Sequence, residues 1–281
     1  MWSTSRRCLI SFTVYIDDLI RKLVNSNLGC CVGTISICCL LYADDIVLLT
    51  GSLHNLQLML DLCTIEMTYL DLQFNSSKCH VLRIGKHYGN KCNNVFIGDC
   101  PIAFTDSITY LGTLIRAGRT WRTDSSHRRR QFFGAFNSIY CKSVQLSEPA
   151  IQQLVESFCK PVLLYNLVAV NPSQTECSKI EYAWNTMMYK IYGVSGESLK
   201  HVYLFTKCLP IRTELLLRQL NFFRNCVRTD NKILRYVYEC YGETDVLKCI
   251  TGLGIVDLDV NHLSSAAIRN IVFDSFVRSC D

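Results

Sequence analysis

The stretch "TISICCLLYADDIVLLTG", Thr34–Gly51, sets two short apolar, β-favouring runs on either side of Asp44 and Asp45. Strand-length apolar runs of this kind predict a β-hairpin between buried strands, with the two carboxylates at its tip. A tight turn holds neighbouring carboxylates a few ångströms apart, and a bound cation relieves their mutual repulsion. The competing reading is an ordinary hairpin turn, where Asp is common.

A second aspartate pair lies upstream in "YIDDL", Tyr15–Leu19, but its flanks differ. Leu19, Ile20, Leu23 and Val24 are spaced as one helical face, with Gly29 as a stop. Neighbours on a helix point about 100° apart, so Asp17 and Asp18 do not converge on one ion. They are expected as solvated charge.

Outside these pairs, composition narrows the class. The chain has 281 residues with 49% hydrophobic content, enough for a sizeable core and two domains. The formal net charge of +5 is matched by one segment alone, "RAGRTWRTDSSHRRR", where six arginines stand against Asp124. The positive field is therefore local. The 17 cysteines are scattered and form no CxxC, which points to mostly buried thiols in a reducing compartment rather than disulfides or zinc. The start, "MWSTSRRCLISFTV", imitates a signal peptide without a small-residue cleavage site, and no window is apolar enough to span a membrane. An intracellular protein, nuclear or cytoplasmic, with no membrane partner is expected.

After Arg116 the pattern becomes helical. "HRRRQFFGAFNSIYCKSVQL" places Phe132, Phe136, Ile139 and Tyr140 on one face. Ser147 and Pro149 announce a second helix, with a break expected near Pro161. Further helical spacing continues through "KIEYAWNTMMYKIYGV", whose Trp184, Met187, Met188 and Tyr192 read as core, and through "PIRTELLLRQLNFFRNCVR" and "DNKILRYVYECYG".

Four segments, "FTVYIDDLI", "LLYADDIVLL", "LDLQFNSSKCHVL" and "ITYLGTLI", occur in the order and approximate spacing of a polymerase palm. Together they resemble the reverse transcriptases of non-LTR (LINE-like) retrotransposons. The resemblance implies that Asp44 and Asp45 are catalytic carboxylates that hold Mg²⁺, and that Tyr42 lies near the primer terminus and template. It implies that Lys78 of "FNSSKC" stands near the incoming deoxynucleotide triphosphate, where the residue taken alone reads rather as a solvated strand-end lysine. "YLG", Tyr110, Leu111 and Gly112, looks like the primer grip. The helices with Arg128, Arg129 and Arg130 at their start resemble a thumb that clamps the duplex of RNA template and DNA primer by its phosphates. Without the resemblance, those arginines could equally be a helix start facing water. The family also uses a third carboxylate from a strand upstream of all these segments, which is expected to be missing.

These readings combine into an α+β chain. A partial right-hand palm of β-hairpins with helices (residues 1–116) is expected to precede an α-helical thumb (117–170) and C-terminal helices (171–281). The implied chemistry is RNA-directed DNA synthesis, a nucleotidyl transfer. The alternative is a catalytically inactive relic that binds nucleic acid through its basic segment.

Overall fold

Helix α1 (residues 16–25) buries Ile16, Leu19 and Leu23 along one stripe and leaves Val24 exposed, so Ile16 takes the place on the inner face that spacing had given to Val24. The computed structural model describes residues 16–170, 172–253 and 263–280, and Tyr15 and the segment before it lie outside these. The chain is mixed α+β. It divides into two compact units, residues 1–109 with 115–122, and 110–114 with 123–281. Residues 117–122 stay with the first unit, where Gly118 bridges to Ile84.

The first unit is built from hairpins and two helices. Strands β1 (Cys30–Val32) and β2 (Ile35–Ile37) pair antiparallel, as do β3 (Cys39–Tyr42) and β4 (Asp45–Leu48). Helix α2 (Leu53–Tyr69) starts at Ser52, whose side chain accepts a hydrogen bond from the Asn55 amide at 3.1 Å. Strands β5 (His80–Val81), β6 (Val95–Ile97) and β7 (Cys100–Phe104) form a sheet in the order β5-β7-β6, with β5 parallel to β7. Gln57 on α2 mimics a strand neighbour: it accepts from the Phe96 amide at 2.9 Å and donates to the Phe96 carbonyl at 3.0 Å.

Two cores flank α2. On one side Met59, Cys63 and Met67 pack with Ile16, Leu19, Leu23 and the inner face of β3 and β4. On the other, Leu60 packs with Val81, Val95 and Ile102. Strands β8 (Ser107–Tyr110), β9 (Thr113–Arg116) and β10 (Arg122–Thr123) form a further sheet in the order β10-β9-β8. The tip of its hairpin, 110–114, belongs to the second unit.

The second unit is helical: α3 (Ser126–Tyr140), α4 (Glu148–Phe158), α5 (Lys160–Leu164), α6 (Leu167–Val170), α7 (Gln174–Tyr192), α8 (Ser198–Thr206), α9 (Ile211–Arg228), α10 (Lys232–Val237), α11 (Glu243–Gly252) and α12 (Ser265–Arg278). The break ahead of Pro161 falls at Cys159, between α4 and α5. Phe132 and Phe136 of α3, Val155 of α4, Leu163 of α5, Trp184, Met187 and Met188 of α7 and Leu215 of α9 share one core. That core runs across residue 170 without interruption. The other side of α9 offers Leu217 and Leu220 to a second cluster with Cys249, Leu253, Ile268 and Val272.

The cysteines depart from expectation in one respect. Cys38, Cys63, Cys159, Cys226 and Cys249 are buried, whereas Cys30, Cys31, Cys100, Cys141 and Cys240 are exposed, and all the described cysteines are free thiols. Burial pushes the thiols of Cys39 and Cys63 up to about 12, which keeps them protonated. Among the described residues no helix is long and apolar enough to cross a membrane.

Candidate functional site

The β3–β4 hairpin closes on a two-residue turn, Ala43 and Asp44, because Tyr42 pairs with Asp45. Ala43 sits at φ +52°, a left-handed conformation that costs a residue with a Cβ of order 1 kcal/mol. Side chains alternate across a strand, so Cys39, Leu41, Ile46 and Leu48 face inward. All four pack against the core made with α1 and α2, which anchors the hairpin. The sequence reading expected two fully buried strands, but here only one face is covered: Leu40 is exposed and Tyr42 is 61% exposed. Asp44 and Asp45 are exposed at the tip. The structure thus brings Tyr42, Asp44 and Asp45 together within one turn.

The other aspartate pair behaves as solvated charge. Asp17 and Asp18 are exposed on α1, and Asp17 pairs with Arg21 one turn later at 2.7 Å. Lys78 ends a short 3₁₀ turn, Ser76–Lys78, and is exposed, while nearby Phe74 packs against the same core as the hairpin. Among the described residues no three His, Cys, Asp or Glu side chains gather as a metal-holding group.

The turn Leu111–Gly112 is the second point of interest. Both residues have positive φ, +44° and +71°, the geometry of a two-residue hairpin turn of type I′. Gly tolerates this and Leu does not, so the turn must be held by its surroundings. Within the second unit, Asn166 Nδ2 donates to the Leu111 carbonyl and to Thr113 Oγ1, each at 3.0 Å. The Tyr165 hydroxyl donates to the same Leu111 carbonyl at 3.3 Å. The Arg128 guanidinium donates to the Gly112 carbonyl and lies over the Tyr165 ring, 4.3 Å from its centroid. Burial lowers the Arg128 pKa, and the neighbouring Tyr165 works in the opposite direction.

The arginine triplet is therefore not uniform. Arg128 is committed to the turn, Arg129 is half-buried with its Nε unpartnered, and Arg130 is exposed. The first turn of α3 is capped from elsewhere in the unit. Glu176 accepts from both the amide and the hydroxyl of Ser125, and Lys179 neutralises it at 2.6 Å. Burial works to raise the pKa of Glu176, but the Lys179 and Ser125 hydrogen bonds outweigh it and hold it below the ordinary carboxylate value.

Sequence reasoning singled out Tyr110, Leu111, Gly112 and Arg128 but missed Tyr165 and Asn166, which complete the clamp. Their only signal was Asn166 itself, a residue type that tolerates the left-handed φ of +56° it adopts. Comparison with protein-family models and with curated proteins finds no match to this chain.

Proposed function

We propose that this chain supplies the metal-binding hairpin and the helical thumb of a reverse-transcriptase-type enzyme, whose reaction is template-directed DNA synthesis on RNA from a DNA primer. The observation that supports it most is the β3–β4 hairpin, with Asp44 and Asp45 at an exposed two-residue tip and its inner face fixed to α1 and α2. Exposed carboxylates are hard oxygen donors of the kind Mg²⁺ takes, and the pair offers two of the roughly six ligands that the ion requires. Bound there, Mg²⁺ would supply charge stabilisation to the attacking and leaving oxygens of an in-line displacement at phosphorus.

The chain's own groups have the remaining duties. Asp44 and Asp45 hold the metal, and Tyr42, on the open face beside Asp45, supports the primer terminus. Lys78 offers a cation or a proton to the departing pyrophosphate. The Leu111–Gly112 turn holds the growing 3′ end, with Arg130 as a phosphate contact on the duplex. Waters and substrate phosphates would fill the remaining positions, together with the third carboxylate that the resembled family uses.

Primer extension on an RNA template tests this reading. We expect none from the chain alone. A longer chain that adds a carboxylate-bearing strand upstream should extend the primer, and Asp44→Asn or Asp45→Asn should then lower the rate by about a hundredfold or more. Asp17→Asn and Asp18→Asn should leave most of it. Full activity in the Asp44→Asn chain would assign the metal elsewhere. Binding of nucleic acid with no extension in any longer chain would favour the inactive relic.

A further inference from the structure

Two loops of the first unit are tied together at the bridge between Ile84 and Gly118. The Gly85 amide donates to the Gly118 carbonyl at 2.8 Å, and the pairing is parallel. Lys86 follows Gly85 by one residue, as Arg119 follows Gly118, while Tyr88 and Trp121 each follow by three. Consecutive Cα atoms are about 3.8 Å apart, so the bridge confines both sets of side chains to one neighbourhood.

The chemistry of that neighbourhood is one-sided. Residues 83–91 and 117–122 contain five Lys and Arg side chains and no carboxylate. Lys86, Lys91, Arg119 and Arg122 are exposed, as is His87. Arg83 braces the first loop instead: its guanidinium donates to the Asn90 carbonyl at 2.5 Å and lies 5.3 Å from the Phe104 ring centroid. Between the cations stand two exposed aromatics, Tyr88 at 42% and Trp121 at 51%. A half-exposed indole and a phenol ring present flat faces on which unpaired bases can stack.

We infer that the bridged loops 83–91 and 117–122 form a binding surface for single-stranded nucleic acid, with Lys86, Lys91, Arg119 and Arg122 on phosphates and Trp121 and Tyr88 stacked on bases. Cations interleaved with aromatics are the combination by which strands are held without regard to sequence. A duplex hides its base faces, so the aromatics select an unpaired strand. The inference takes its class of partner from the proposed function but does not depend on Asp44, Asp45 or a metal.

The experiment is a titration of the full chain with a fluorescein-labelled oligothymidylate of about twenty nucleotides, read by anisotropy and by tryptophan emission across a salt series. The chain has three tryptophans, of which Trp184 is buried and Trp2 lies outside the described residues, so the emission that responds is assigned by comparing Trp121→Phe with Trp2→Phe. We expect quenching on binding, and a log–log salt slope of about −0.7 for each phosphate neutralised. Lys86→Ala with Arg119→Ala should flatten that slope by about 1.4. Trp121→Ala should weaken binding about tenfold, with Trp121→Phe retaining most of it. Unchanged far-ultraviolet dichroism shows that the variants fold. A slope that persists in the double variant but falls in Arg130→Ala would overturn the proposal, as would equal affinity for polyglutamate or for a blunt duplex. Failure of the polymerase reading would show instead as no extension in the longer chain with this titration intact, and Asp44→Asn should leave the titration unaltered.

Discussion

Gly29 shows how tightly single positions are fixed beside the hairpin. A Cβ built there would fall 2.1 Å from Cys38 Cβ and 2.4 Å from Cys38 Cα, a backbone atom that cannot swing aside. The approach is close because the Cys30 amide donates to the Leu49 carbonyl and the Leu49 amide to the Cys38 carbonyl, at 2.9 and 2.7 Å. Gly29→Ala should therefore cost about 1–3 kcal/mol or more and loosen β3 and β4, seen as a lower denaturation midpoint. A wild-type midpoint would show that the two segments separate freely. Asn166 is fixed for a different reason, since it combines a left-handed backbone with two side-chain hydrogen bonds. Asn166→Gly loses only the bonds, whereas Asn166→Ala loses the bonds and adds roughly 1 kcal/mol of backbone strain. Alanine should thus be the more damaging of the two by denaturant titration, and equal midpoints would remove the strain argument.

At the scale of elements, the β8–β9 hairpin tip is held by α3 through Arg128 and by the junction of α5 and α6 through Tyr165 and Asn166. Arg128→Ala would uncover the Gly112 carbonyl and one face of the Tyr165 ring together. Faster amide exchange at 110–114, with α7 unchanged, is the expected signature, and Arg128→Lys should not rescue it because an ammonium lacks the planar fork. Unaltered exchange at the tip would mean that Tyr165 and Asn166 suffice. The elements differ in how far their sequences disclosed them. The β3–β4 hairpin was legible because apolar runs and turn residues are local signals, and α3 and α7 because their buried stripes repeat with the helical period. The clamp was not legible, since Arg128 lies 16 residues from Gly112, and Tyr165 lies 54 from Leu111. No periodicity records such pairs. The loop 83–91 has no repeating pattern either, and its meaning came only from the bridge to Gly118. Half-burial of β3 and β4 was misjudged because an apolar run cannot say how many of its faces find a partner.

For the molecule as a whole, the helical unit carries charge in its interior, and this sets its response to acid. Glu214 is buried on α9 between Arg218 at 3.2 Å and Arg269 at 2.9 Å. Burial alone would raise its pKa, but the Arg269 charge, with Lys160 and Arg218, more than offsets it and holds the carboxyl below its ordinary value. Glu156 is depressed in the same sense: burial raises it, and Lys160, at 3.2 Å, outweighs that together with hydrogen bonds from Cys208 and Gln152. Lys160 is itself buried and lies 5.0 Å from the Trp184 ring centroid, so the ion pair is set against the main core. A carboxyl whose folded pKa lies below its unfolded value of about 4.3 contributes stability that is fully present above that value. The contribution is lost as pH falls through the folded pKa, because the unfolded chain takes up protons that the folded chain refuses. The unfolding free energy of this unit should therefore hold steady from neutral pH down to about 5 and decline below about 4.3. Glu214→Gln should lower stability at neutral pH, since it leaves Arg269 and Arg218 without their counter-charge, and should make the acid decline shallower. Denaturant titrations of both proteins across that range decide the matter. An acid slope as steep in Glu214→Gln as in the parent would place the acid-sensitive charge on other carboxyls, and stability that rises on acidification would reverse the sign assigned to both buried pairs.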